Sequence, residues 1–348
     1  MLRRSFLAQF ALALRQDKLE SAANLLKEAA RLGNVGAATA VVRHGDSAAT
    51  WAVGSGKPES VYLLASITKP MTVTAAMMLV ERGEVKLDDP VKKYVPEFRA
   101  GARERILVRH LLTHSSGLPD MLPENEELRK RHAPLTEFVA RTCRTPLLFE
   151  PGTDVKYQSM GILMAAEIVE RVTKTPLRRF LQEKLFAPLG MASASLGTGG
   201  RPLAALSRCE VTGNDDWNWN SPYWRDLGSP WGGAHASAAD VERLLRYFLN
   251  PGARVLKPET ARAMIRNQNG GLKTPWGFGW VVGGERFGRA CSASSFGHSG
   301  STGTLAWADP ASGVTFVLLT TRPAAESNKA VIRPVSEAAA AAMTREAA

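Results

Sequence analysis

Cysteine is scarce: the 348 residues hold three, Cys143, Cys209 and Cys291, far apart in the chain. An odd, scattered set gives neither a disulfide framework nor zinc spacing, so buried free thiols are expected. Histidine is also sparse, with six residues. His110 and His114 lie four apart, but no glutamate accompanies them in the H-E-x-x-H manner, and both are expected to be structural. No metal and no organic cofactor is implied. No apolar run approaches the roughly 20 residues of a membrane span. The G-x-S-x-G elbow of the α/β-hydrolases is missing, since Gly297-His298-Ser299-Gly300 is followed by Ser301. Acidic residues are outnumbered, 33 against 44 Lys and Arg, for a net charge of +11. The basic residues are scattered, and Arg129-Lys130-Arg131 has no interleaved aromatics. A solvated basic surface is expected, with no nucleic-acid partner.

What is present is ordinary for a globular protein, at 45% hydrophobic and 22% charged residues. Leu2-Arg3-Arg4-Ser5-Phe6-Leu7 is similar to a twin-arginine export pattern, but the apolar stretch after it is short and Arg15 closes it. A cytoplasmic enzyme is expected, with export through that N-terminus as the alternative. Leu19 to Leu32 reads as an amphipathic helix ended by Gly33. Ala37–Arg43 and Ala48–Val53 read as a hairpin, and Thr302–Ala308 with Val314–Thr321 as a second one. Helical patterns fill the middle: Met71–Arg82, Val108–Leu112, Leu135–Arg141, Gly161–Val172, Leu177–Leu185 and Ala238–Leu249. An alanine-rich helical tail runs over Asn328–Ala342. Strands at both ends and helices between them predict an α+β fold of two lobes in one domain over 1–348. An antiparallel sheet flanked by the terminal helices takes 17–65 and 262–348, and a mostly helical lobe takes about 66–261.

Ser66-Ile67-Thr68-Lys69 is the one place where lysine follows serine by three residues. On a helix starting at Ser66 the two side chains stack one turn apart, and a neutral lysine there can serve as base to a serine nucleophile. The first N–H groups of such a helix lack partners, so that of Ser66 can meet an oxyanion. Pro70 fits the first turn. Tyr157-Gln158-Ser159 follows a turn at Glu150-Pro151-Gly152-Thr153, placing a phenol where it can relay a proton. Gly297 to Ser301 suits a strand edge along which a substrate can lie, with the Ser301 N–H as second oxyanion donor.

These segments resemble the serine β-lactamase and penicillin-binding superfamily, closest in style to class C β-lactamases and their relatives among the family VIII carboxylesterases. Leu64 to Lys69 is similar to its first motif, Tyr157-Gln158-Ser159 to its Tyr-x-Asn motif and His298-Ser299-Gly300 to its Lys-Thr-Gly motif. Connecting text from Gly83 to Val91, from Leu111 to Leu118, at Pro151-Gly152, at Pro188 to Met191, at Gly232-Gly233 and from Ser237 to Asp240 is similar too. The resemblance spans about residues 20–325. It implies a serine β-lactamase/transpeptidase-like fold, Ser66, Lys69 and Tyr157 as catalytic residues, and oxyanion or substrate contacts from Ser66, Ser301, His298, Ser299, Gly300 and Ser159.

Two positions depart from the pattern. Ser159 stands where the superfamily has a carbonyl-binding asparagine, and His298 replaces a permanent lysine cation with a group mostly neutral at pH 7. Both changes point away from penicillin hydrolysis and towards a carboxylesterase that cleaves short-chain or small-molecule esters. The alternatives are a β-lactamase or D-amino-acid peptidase on the same site, an acyltransferase, or a silent binding protein of the same fold. A small-molecule ester or amide is the expected partner; the oligomeric state is open. Trp217, Trp219, Trp224 and Trp231 crowd one loop, either as its private core or as the wall of an apolar pocket.

Overall fold

The computed structural model describes residues 14–213 and 215–343. The twin-arginine-like stretch falls outside the described residues. Six strands form one antiparallel sheet in the order β2-β1-β9-β8-β7-β6. They are β1 (Ala37–His44), β2 (Ser47–Gly54), β6 (Val281–Val282), β7 (Phe296–Gly300), β8 (Thr304–Asp309) and β9 (Val314–Thr320). The N-terminal hairpin therefore pairs with the C-terminal one, Val41 facing Val317 across the β1–β9 ladder. The second hairpin begins two residues later than expected, because Thr302 and Gly303 form its entering turn.

Alternation along β9 explains why it is buried throughout. Val314, Phe316 and Leu318 face a core built with the helices Gln16–Arg31 and Arg333–Ala341. Val317 and Leu319 face the other core, shared with the helix Ala238–Leu249. A period of two serving two apolar layers is how a central strand stays covered on both faces. The expected tail helix over Asn328–Ala342 opens with a π-helical turn, Asn328–Ile332, before Arg333–Ala341, and one more helical turn, Ala324–Ser327, precedes it.

The middle of the chain is mostly helical, with helices at Thr68–Glu81, Val108–Leu112, Leu135–Thr142, Met160–Thr173 and Leu177–Leu181. One expectation needs correction there. A small antiparallel sheet, β3-β5-β4, crosses this region through Tyr62–Leu63, Ala234–Ala236 and Ser195–Leu196. Strands of two or three residues carry too little alternation to be read from sequence. They matter, because β3 leads directly into Ser66 and β5 braces it.

Candidate active site

Between Val61 and Leu79 every residue is buried except Ser66. The chain leaves β3, Ala65 takes a left-handed φ of 47°, and a 3-10 turn over Ala65–Ile67 runs into the helix Thr68–Glu81. A non-glycine residue in that conformation costs about 1 kcal/mol or more and persists only where neighbours hold it. Here they do. Thr68 Oγ1 donates to the Ala65 carbonyl at 2.7 Å, and Ala234 N–H donates to Thr68 Oγ1 at 3.0 Å. From β8 and the turn before it, Thr304 Oγ1 donates to Leu64 O at 2.9 Å and Thr302 Oγ1 to Leu63 O at 2.7 Å.

Lys69 Nζ lies 3.1 Å from Ser66 Oγ and donates to the Trp231 carbonyl at 3.1 Å. It also stands 4.6 Å from the centre of the Tyr157 ring. Burial lowers its pKa to about 7, against a smaller upward pull from the charge of Asp120. Burial pushes the Tyr157 phenol well above the usual range, against a smaller lowering by the Ser66 hydroxyl beside it. The ring is held from behind by His114 at 4.8 Å and Trp276 at 5.8 Å between centres. Its neighbour Gln158 is anchored: the backbone N–H donates to His114 Nδ1 at 3.1 Å and Nε2 to the His110 carbonyl at 3.0 Å. The His114 imidazole thus holds loop backbone, and the His110 imidazole does the same by accepting from the Leu107 N–H at 3.2 Å. Among the described residues no cluster of metal-ligating groups occurs.

His298 is the residue that differs most in chemistry from its counterpart. Its Nδ1 lies 2.7 Å from the Ser299 carbonyl, an acceptor only, so Nδ1 carries the proton. Nε2 is then an unprotonated acceptor, buried and without a protein partner. Burial, helped by the nearby Lys69 charge, lowers the imidazole pKa to about 3. It is neutral throughout the working range of an enzyme. Strand β7 pairs with β8 along its length but with β6 only at Phe296 and Gly297, so the backbone from His298 to Gly300 borders the cleft with a free edge. Gly300 has to be glycine: a Cβ would sit 2.4 Å from the Leu64 carbonyl. The N–H groups of Ser66 and Ser301 take no part in the described turn and loop hydrogen bonds.

These residues line a cleft of about 630 Å³ with Ser66, Tyr157, Ser159, His298, Ser299, Gly300 and Ser301 on its walls. Of the four tryptophans, Trp219, Trp224 and Trp231 line it too. Trp217 does not, and this corrects the expectation for it: its ring lies against the Arg129 and Lys130 side chains, 5.2 and 5.6 Å away. Trp224 and Trp231 are at once wall and core, 5% and 2% exposed. The segment is also less of a loop than expected, since Pro222–Leu227 is a short helix capped by Ser221. Sequence reasoning missed Asp120, Arg129, Trp276 and Arg286, which share the lining. Asp120 lies two residues beyond Leu111–Leu118, text that already resembled the superfamily, and that neighbourhood is the one signal that could have found it.

A sequence model of the family described as beta-lactamase matches residues 22–340. Esterase EstB of Burkholderia gladioli is 32% identical over 296 residues, covering 71% of this chain and 74% of its own. Among solved structures, EstCE1, described as a hydrolase with promiscuous acyltransferase activity, is similar with a TM-score of 0.78 at 19% identity, over 93% of this chain and 99% of its own. The D-amino acid amidase of Ochrobactrum anthropi is similar with a TM-score of 0.74 at 21% identity, over 94% and 98%. At such identities both structures speak for the fold alone.

Proposed function

The chain belongs to the beta-lactamase family and is a serine hydrolase, and on that premise we propose that it is a carboxylesterase cleaving small-molecule esters through an acyl-enzyme. The observation that carries the choice is His298. A buried imidazole with a pKa near 3 offers an acceptor where a substrate carboxylate of a penicillin or peptide needs a cation. Ser159 adds to it, because its hydroxyl is engaged by Asp120 at 2.6 Å. The 32% identical EstB carries the name of an esterase.

In this reading Ser66 Oγ attacks the ester carbonyl while its proton passes to Lys69 Nζ. A lysine with a pKa near 7 is neutral in a large fraction at physiological pH and needs no further activation. The oxyanion is met by the N–H groups of Ser66 and Ser301. Tyr157 stays a protonated phenol and hands its proton to the leaving alkoxide, drawing a replacement from Lys69. Water then attacks the acyl-enzyme, its proton travels the same route back to Ser66, and the acid departs. An acyltransferase differs only in replacing that water by an alcohol.

The test compares kcat/KM for 4-nitrophenyl butanoate with that for nitrocefin. Butanoate should lead by orders of magnitude; nitrocefin turnover equal to it or faster would replace this reading by the β-lactamase one.

A further inference from the structure

We propose that the cleft selects esters carrying a positively charged ammonium group, and that Asp120 is the residue that selects them. The inference rests on the esterase reading and names its substrate class. Asp120 is the one carboxylate among the residues lining the cleft. It is held firmly: Ser159 Oγ donates to Oδ1 at 2.6 Å, and the Ser159 N–H donates to the Asp120 carbonyl at 3.3 Å. Ser159 lies two residues beyond Tyr157, so the carboxylate is fixed relative to the catalytic phenol. No protein cation forms an ion pair with Asp120 among the described residues. In a chain of net charge +11 that is unexpected on grounds of number alone.

The neighbouring cations are engaged elsewhere or stand in solvent. Arg129 donates to the Trp217 carbonyl at 2.9 Å and lies 4.0 Å from the centre of the Trp224 ring. Arg286 sits at the solvent-exposed rim, where water screens it. Lys69 feels Asp120 through space but is held on Ser66 and Trp231. It must also be neutral when Ser66 attacks, which leaves the half-buried carboxylate without a countercharge at that moment. A substrate ammonium supplies one, and a partly buried charge gains most from such a partner. The walls suit the same ligand. Trp219, Trp276 and Tyr157 present aromatic surface to the cleft, and ring faces attract ammonium groups.

Two isosteric ester pairs separate charge from size and locate the charge. On the acyl side, 4-nitrophenyl 3-aminopropanoate is compared with 4-nitrophenyl butanoate. On the alcohol side, choline butanoate is compared with 3,3-dimethylbutyl butanoate. The cationic member of at least one pair should lead in kcat/KM by about fivefold or more, less at high salt. Asp120→Asn keeps an acceptor for Ser159 and removes the charge, so the ratio should fall to about one, and Asp120→Glu should restore part of it. A ratio at or below one in both pairs, with brisk hydrolysis of the neutral esters, overturns the proposal from the wild-type protein alone. So does a cationic preference that survives in folded Asp120→Asn protein. Failure to cleave any of the four esters is a different result: it removes the esterase reading, and this inference with it.

Discussion

Lys69 Nζ stands 3.1 Å from Ser66 Oγ on a side chain with no exposed surface. Desolvation disfavours the ammonium, which is why the pKa falls to about 7. The ester kcat/KM should therefore rise with pH through a midpoint near 7 and level off above it, because only neutral Lys69 can accept the proton. His298, neutral above about 3, should add no inflection between pH 5 and 9. Asp120 pulls the lysine pKa upward, so Asp120→Asn should move the midpoint to lower pH. Rate profiles of the two proteins on 4-nitrophenyl butanoate check both statements; a midpoint near 10 would mean that the lysine keeps its ordinary pKa and that burial does not make it a ready base.

Ser66→Ala deletes the nucleophile at a position where alanine suits the turn and helix start. Hydrolysis of 4-nitrophenyl butanoate should fall by roughly 10³ or more, and Lys69→Ala should come close, with the double mutant little worse because the two act as a unit. Thermal melts should leave Ser66→Ala near wild type. Near-normal turnover by folded Ser66→Ala would remove the mechanism.

Gly300→Ala tests the seam between β7 and the nucleophile. Its Cβ would meet Leu64 O at 2.4 Å and Thr304 Oγ1 at 2.3 Å, and the Leu64 carbonyl cannot retreat without shifting Ala65 and Ser66. Overpacking of this kind costs about 1–3 kcal/mol. Both the melting temperature and kcat should drop. A fall in melting temperature with kcat preserved would show that the turn moves independently of catalysis.

The parts legible in sequence were those that repeat or that join chemistry at short spacing. Two long hairpins at opposite ends announce one sheet, and Ser66 with Lys69 needs only a helical turn to meet. Tyr157 was readable because a turn precedes it and a helix follows. The short strands β3, β4 and β5 were not, having two or three residues each. Arg129 and Trp276 reach the cleft from a short helix and a loop that bring distant segments together, and no local pattern marks such a meeting. The neutrality of His298 at all working pH follows from its burial, which its flanking glycines do not reveal.

The tryptophans divide by burial. Trp224→Ala or Trp231→Ala opens a cavity in the core and should cost about 3–5 kcal/mol, lowering the melting temperature whatever it does to the substrate. Trp219 is half-buried on the wall, so Trp219→Ala should shift the kcat/KM ratio between a bulky and a small ester at little cost in stability. Trp217→Ala should leave that ratio unchanged, as its ring stands outside the lining against Arg129 and Lys130. Melts and ester pairs for the four single mutants decide it, and a ratio shift confined to Trp217→Ala would reverse the assignment.

His298→Lys asks whether a cation at this position is what separates ester from β-lactam hydrolysis. The imidazole is 2% exposed, its Nε2 lacks a partner, and Lys69 is close enough to depress its pKa. A lysine ammonium placed there would be a like charge to Lys69 and should lower the Lys69 pKa further, moving the ester pH midpoint downward. It would also offer a charge-assisted donor to the nitrocefin carboxylate, worth roughly 1.5–3 kcal/mol if made. The nitrocefin-to-butanoate ratio of kcat/KM should then rise about tenfold or more. An unchanged ratio in a folded protein whose pH midpoint has moved would show that the cation arrived and that something else, Ser159 and Asp120 first, keeps β-lactams out.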